Sequence, residues 1–183
     1  MKFADEEGIH KVFDLHSPNE MLKKLQWERA QIETLLAAED PNVIFAAFNA
    51  AATAWHLIDW IKTYSRIHPN MGIPNIDTRI YRDDVIARCP ELIVCRQISV
   101  GWKHRIVDQY NSPGVQALHV IDIYVKHENG LPVPGARLSH SRKRPVIYLD
   151  KQSITLDAFF RNVTEFWIAE LDRLKFPAGL ANA

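Results

Sequence analysis

The chain has 183 residues, which suits one domain with a core of useful size and leaves little room for two. Apolar residues make up 47 % and charged residues 24 %, ordinary globular usage that argues against general disorder. Lys plus Arg and Asp plus Glu both total 22, so no global field pulls the chain toward nucleic acid or a membrane, and any such binding has to come from a local patch.

Met1 to Glu7 carries acids where a signal peptide needs an apolar run. No stretch reaches the roughly 18 apolar residues of a membrane span. The longest weakly polar stretch, Val43 to Ile58, is interrupted by Asn49, Thr53 and His56, and is expected to be a buried helix. A cytoplasmic protein without membrane contact is therefore expected. The two cysteines, Cys89 and Cys95, are few enough to fit a reducing compartment. On a helix they face different ways, so two reduced, partly buried thiols are expected.

The first strong helix start is Ser17-Pro18-Asn19-Glu20. Ser17 supplies a cap, Pro18 suits the first helical position, and Glu20 completes a capping box. Leu22, Leu25, Ile32, Leu35 and Leu36 follow, and the helix should end near Glu39. Asp40-Pro41 starts a second helix by the same logic, running to about Ser65. Two adjoining stripes mark it, one through Phe45, Phe48, Ala52, Trp55 and Asp59, the other through Phe48, Ala51, Trp55, Ile58 and Ile61. A helix apolar over so much of its surface belongs at the centre of a bundle.

His68 to Asn75 reads as a loop, with two prolines and a glycine. Asp77 should cap a short helix to Arg88. Pro90 starts another, which carries Leu92, Ile93, Ile98, Trp102 and Ile106 and stops at Asn111-Ser112-Pro113-Gly114. Val115 to Val125 is β-branched and apolar and reads as a strand, with a turn at Glu128-Asn129-Gly130. Strand character returns around Arg137 to Ser139 and more clearly at Pro145 to Leu149. Ser153 should cap a last helix with an apolar seam through Phe159, Phe160, Val163, Phe166, Trp167, Leu171 and Leu174. The expected fold is mainly α, a single domain. It has a helical bundle over about 17–110, a β-hairpin over about 115–149 and a C-terminal helix over about 153–174.

Three groups of residues suggest chemistry. Arg96, Lys103 and His104 lie within nine residues on one expected helix. A His acts as general acid or base near neutral pH, and an Arg holds a phosphate and stabilises its transition-state charge. Together they suit cleavage of RNA in which the 2′-hydroxyl attacks the neighbouring phosphate. On an ideal helix Arg96 and His104 are roughly 80° out of phase, so they converge by a kink, to which Gly101 points, or across a dimer. The other reading of this helix is structural.

His56 and Asp59, spaced i, i+3, form the second group, with Asp59 able to orient His56 and with Thr53 and Asn49 about one and two turns earlier. A hydrogen-bonded structural cluster is the leading reading, a supporting role at a site the next. A metal site with His104 comes last, and neither a metal nor a cofactor is expected. The third group is the one dense basic run, Arg137, Arg142, Lys143 and Arg144 with His140. It reads as a solvated hairpin loop or as a track for a phosphate backbone. Cys95 is a weak candidate nucleophile near His104.

The Cys95-Arg96 to Lys103-His104 segment resembles the Arg…His helix of HEPN-type bundles. The resemblance extends to Phe48-Asn49-Ala50-Ala51-Ala52-Thr53-Ala54-Trp55-His56-Leu57-Ile58-Asp59-Trp60 on the preceding long helix. It covers most of the chain from Ser17 to Leu174. Many HEPN members are RNases of toxin–antitoxin or phage-defence systems, often dimeric and metal-independent, and others only bind or scaffold. The resemblance implies Arg96 and His104 as the catalytic pair, with RNA as substrate or ligand and a homodimer or a protein partner. The alternative is a non-enzymatic helical interaction module, suggested by five Trp and eight Phe.

Overall fold

The computed structural model describes residues 15–69, 77–103, 115–124, 127–128, 131–132, 140–149 and 152–176. Five helices and five strands lie among them, in the order expected of a helical bundle with a hairpin before the last helix. They are α1 (Pro18–Ala37), α2 (Val43–Ile67), α3 (Thr78–Arg88), α4 (Glu91–Lys103), β1 (Val115–Tyr124), β2 (His127–Glu128), β3 (Leu131–Pro132), β4 (His140–Leu149), β5 (Gln152–Thr155) and α5 (Leu156–Arg173).

Local chemistry accounts for most of the boundaries. Ser17 caps α1 by accepting from the Glu20 N–H at 3.3 Å, with Pro18 in the first turn. The Glu20 carboxylate accepts from the Ser17 hydroxyl at 3.2 Å and from the backbone N–H of His16, one residue before the usual capping-box donor. The helix closes at Glu39, a non-glycine residue at φ 57° in the left-handed region, where chains commonly leave a helix. The expected start of α2 at Asp40-Pro41 is corrected to Val43. Asp40 and Pro41 form a turn instead, in which the Asp40 carboxylate accepts from the Asn42 N–H at 2.8 Å. The helix also runs two residues past Ser65, to Ile67. Asp77 caps α3 as expected, accepting from Arg79 at 2.9 Å and Ile80 at 3.0 Å, and these bonds hold its carboxyl below the ordinary range.

The core face of α2 meets expectation at Ala51, Ile58 and Ile61 and departs from it at the aromatic positions. Ala47, Ala50, Ala51, Ala54, Leu57, Ile58 and Ile61 are buried, whereas Phe45 is 61 % exposed and Phe48 and Trp55 are half-buried. Small residues let neighbouring helices approach α2 closely, and it packs against all four others. Its central place stands, but on the alanine face. The aromatic stripe is turned outward. The seam of α5 follows expectation, with Phe159, Phe160, Val163, Trp167 and Leu171 buried and Phe166 only partly covered.

The hairpin becomes part of a three-stranded antiparallel sheet in the order β1-β4-β5. The register runs from Val115 opposite Leu149 to Tyr124 opposite His140, and β4 then pairs Val146 with Thr155 and Leu149 with Gln152. Ser153, expected as the cap of the last helix, lies in β5, and Thr155 takes the N-cap position. Pro145 is opposite His119 of β1 and has no N–H to offer a second neighbour, which fits its place beyond the end of β5. The β4–β5 pairing begins one residue later, at Val146. Ile147 anchors the sheet, buried in the core beneath α5. No helix among the described residues is long and apolar enough to cross a membrane.

Candidate functional site

The elements that bring candidate residues together are α2 and α4, which pack side by side. Burial of Leu92, Val94 and Cys95 turns one side of α4 into the core and leaves Arg96 half-buried at its edge. There the Arg96 guanidinium lies over the Trp55 ring of α2, 5.5 Å from its centroid. Such a cation–π contact holds the guanidinium in place over the ring. One residue along, His56 Nδ1 lies 3.6 Å from Asp59 Oδ2. That distance is long for a hydrogen bond, and both side chains are exposed, so the pair is a loose surface contact.

Arg96 thus meets the helix that bears His56 and Asp59. His104 and Arg137 lie outside the described residues. Lys103 is the last described position of α4, whose helix continues through Gly101. Arg142, Lys143 and Arg144, expected in or near a loop, are strand positions of β4 opposite Asp122, Ile121 and Val120. The expected return strand at Arg137 to Ser139 also lies outside the described residues. Thr53 separates from His56: it is buried and accepts a hydrogen bond from Lys24 of α1 at 2.6 Å, while Asn49 is exposed. Among the described residues no group of three His, Cys, Asp or Glu side chains could hold a metal.

Both cysteines are free and fully buried, more so than the partly buried thiols expected. Burial raises both, with Cys89 pushed up to about 12 and also raised by the neighbouring Glu91 carboxylate. A thiol held this far from ionising and shut from solvent is inert, which removes Cys95 as a nucleophile.

Two charged clusters went unseen in the sequence. Glu28, buried on α1, accepts from Lys24, which also bonds Thr53. Glu170 on α5 is 1 % exposed and binds two arginines, Arg88 of α3 at 2.8 Å and Arg173 at 2.8 Å on each oxygen. Arg88 also donates to Asp84 at 2.8 and 3.1 Å and lies 5.2 Å from the Phe166 ring centroid. Burial opposes the Glu170 charge, yet the bonds from Arg173 and Arg88 outweigh it and hold the carboxyl at about 2. Burial and the Glu170 charge together push the Tyr81 phenol upward. The i, i+3 spacing of Glu170 and Arg173 and the i, i+4 spacing of Asp84 and Arg88 were readable signals. The link from Arg88 to Glu170, 82 residues apart, was not.

Comparison with protein-family models, with curated proteins and with solved structures returns no match for this chain.

Proposed function

We propose that this chain is a HEPN-like RNA-binding or metal-independent RNA-cleaving protein, of the toxin–antitoxin or phage-defence kind, working in the cytoplasm as a homodimer or with a protein partner. The observation that carries the proposal is the half-buried Arg96, braced across Trp55 beside the exposed His56–Asp59 pair. A guanidinium held over a ring is already oriented, and its planar fork matches the geometry of a phosphate. In the cleavage reaction His104 takes the proton from the 2′-hydroxyl, whose oxygen bonds to phosphorus as the 5′-oxygen leaves. Arg96 stabilises the charge that develops on the phosphoryl oxygens. His56, Asp59 and Lys103 support the site, while Arg137, Arg142, Lys143 and Arg144 hold the strand away from the scissile bond.

The test is cleavage of structured and unstructured RNA by the wild type and by Arg96→Ala and His104→Ala, with and without chelator. The proposal expects cleavage that survives chelator, stops with 2′-deoxy substrates and falls at least 100-fold in each variant. Equal activity in all three proteins overturns the catalytic assignment. Binding without cleavage, weakened by Arg96→Ala, leaves the binding half standing. A non-enzymatic interaction module is the second reading, favoured by the exposure of Trp27 (63 %) and Phe45 (61 %).

A further inference from the structure

The β1-β4-β5 sheet has two open edges among the described residues, and they are built differently. On one side β5 covers β4 only from Val146 to Leu149, so the stretch from His140 to Pro145 has no neighbour there. That stretch holds Arg142, Lys143, Arg144 and Pro145, the kind of residues that keep a bare edge from pairing. On the other side the whole of β1, ten residues from Val115 to Tyr124, forms the edge of the sheet. β1 has no proline, lysine or arginine. Asp122 is its one acid, and Val115, Val120, Ile121 and Ile123 are β-branched. A long apolar edge without such devices is a template for another strand.

We infer that β1 pairs antiparallel with β1 of a second copy, joining two three-stranded sheets into one continuous sheet. The twofold axis of such a pair stands perpendicular to the sheet and keeps each face on its own side. Residues opposed across it therefore have numbers of the same parity. A pairing centred on the strand sets either His119 or Val120 opposite its own copy, and aligns about 30 Å of ladder at ~3.4 Å per residue. In the first register Asp122 meets Gln116, in the second Leu118, and in neither does it meet its own copy. The bare stretch of β4 has no such freedom. Centred on Arg142 or Lys143, the same symmetry sets a cation opposite its own copy, which is destabilising. A second copy thus fits β1 and is rejected by β4. The assembly closes at two copies, because its outer edges are the four-residue β5 and the basic stretch of β4. This interface rests on the homodimer of the reading above and is independent of its RNA chemistry.

The experiment is sedimentation velocity of the full chain across a wide range of concentrations, with amide hydrogen exchange followed at each. The wild type should pass from monomer to dimer as concentration rises. Over the same range exchange should slow about tenfold at alternate β1 amides, those on the side away from β4. Leu118→Glu/Val120→Glu should weaken the dimer about 100-fold, since either register then sets carboxylates opposite carboxylates. Within the chain these two positions stand opposite Val146 and Arg144 and share their face of the sheet, not that of the buried Ile147, so the core is spared. Adding Leu118→Lys/Val120→Lys to that variant should restore a mixed dimer, which a protein that had merely unfolded could not form. A wild type that stays monomeric at every concentration overturns the interface. So does a dimer that survives Leu118→Glu/Val120→Glu with β1 exchange unchanged, because it uses another surface. Neither result touches the RNA assignment, which Arg96→Ala and His104→Ala test in the cleavage assay.

Discussion

Arg88 and Arg96 both lie over an aromatic ring, 5.2 Å from Phe166 and 5.5 Å from Trp55, yet they differ in the exposure of their surroundings. Arg88 is held by Asp84 and by Glu170, a carboxylate that solvent does not reach. Its charge is answered inside the fold, and it fastens α3 to α5. Arg96 is set on a half-buried indole at the rim of α2, next to side chains that water reaches. The two arginines show that an aromatic shelf does not define a role. A buried carboxylate makes Arg88 a fastener of α3 to α5, while Arg96 joins α4 to the rim of α2 through an indole.

Breaking the first arginine should have the larger effect on stability. Arg88→Ala leaves Glu170 buried with Arg173 as its remaining partner, and should cost about 3 kcal/mol in urea unfolding. RNA binding per folded molecule should stay as it is. A loss below about 1 kcal/mol would show that Arg173 suffices. The same carboxylate sets an acid limit. Its folded value of about 2 lies below the ordinary glutamate value of 4.5, so its stabilisation is fully present above about pH 4.5 and drains away as pH falls toward 2. The wild type should lose on the order of 3 kcal/mol across that window. Glu170→Gln should start lower and lose less over the same range. Parallel profiles for the two proteins would count against it.

The contrast also marks what the sequence could convey. Periodicity and caps located the helices among the described residues, because Ser17, Asp77 and the α5 seam act within a few residues of themselves. The facing of α2 was read correctly at Ala51, Ile58 and Ile61 but placed too far toward Phe45, Phe48 and Trp55, because large aromatics outweigh alanines in any apolar count. Packing rewards the alanines, which allow four helices to come close. Strand β5 was missed because four residues beside a cap carry too little pattern, and its pairing with β4 is a tertiary choice. The Arg96–Trp55 contact joins residues 41 apart, so the sequence supplied both members and no sign that they meet.

Removing the second arginine should disturb stability less and function more. Arg96→Ala gives up one partly solvated cation–π contact, about 1 kcal/mol in the same unfolding assay, and should abolish the RNA-dependent signal. Arg96→Lys keeps the charge but not the planar fork, and should recover part of the stability without the activity. A variant that unfolds as readily as Arg88→Ala would make Arg96 a second fastener.

The smallest stability effect belongs to His56 and Asp59. Their 3.6 Å separation and open exposure limit Asp59→Asn to roughly 0.3 kcal/mol, fading further in 0.5 M salt. Function gives this substitution its use. If Asp59 orients His56 toward a bound strand, Asp59→Asn lowers RNA affinity or cleavage severalfold while the unfolding curve barely moves. If the pair is only a surface contact, neither changes. The charges of α2 add a third outcome that separates orientation from repulsion. Losing its one acid, on the helix that carries the exposed Lys62 and Arg66, should ease the approach of a phosphate backbone, so affinity would rise at low salt and the gain would vanish at high salt. A severalfold loss present at all salt concentrations therefore assigns Asp59 to positioning His56, and a salt-sensitive gain assigns it to tuning the field of the α2 face.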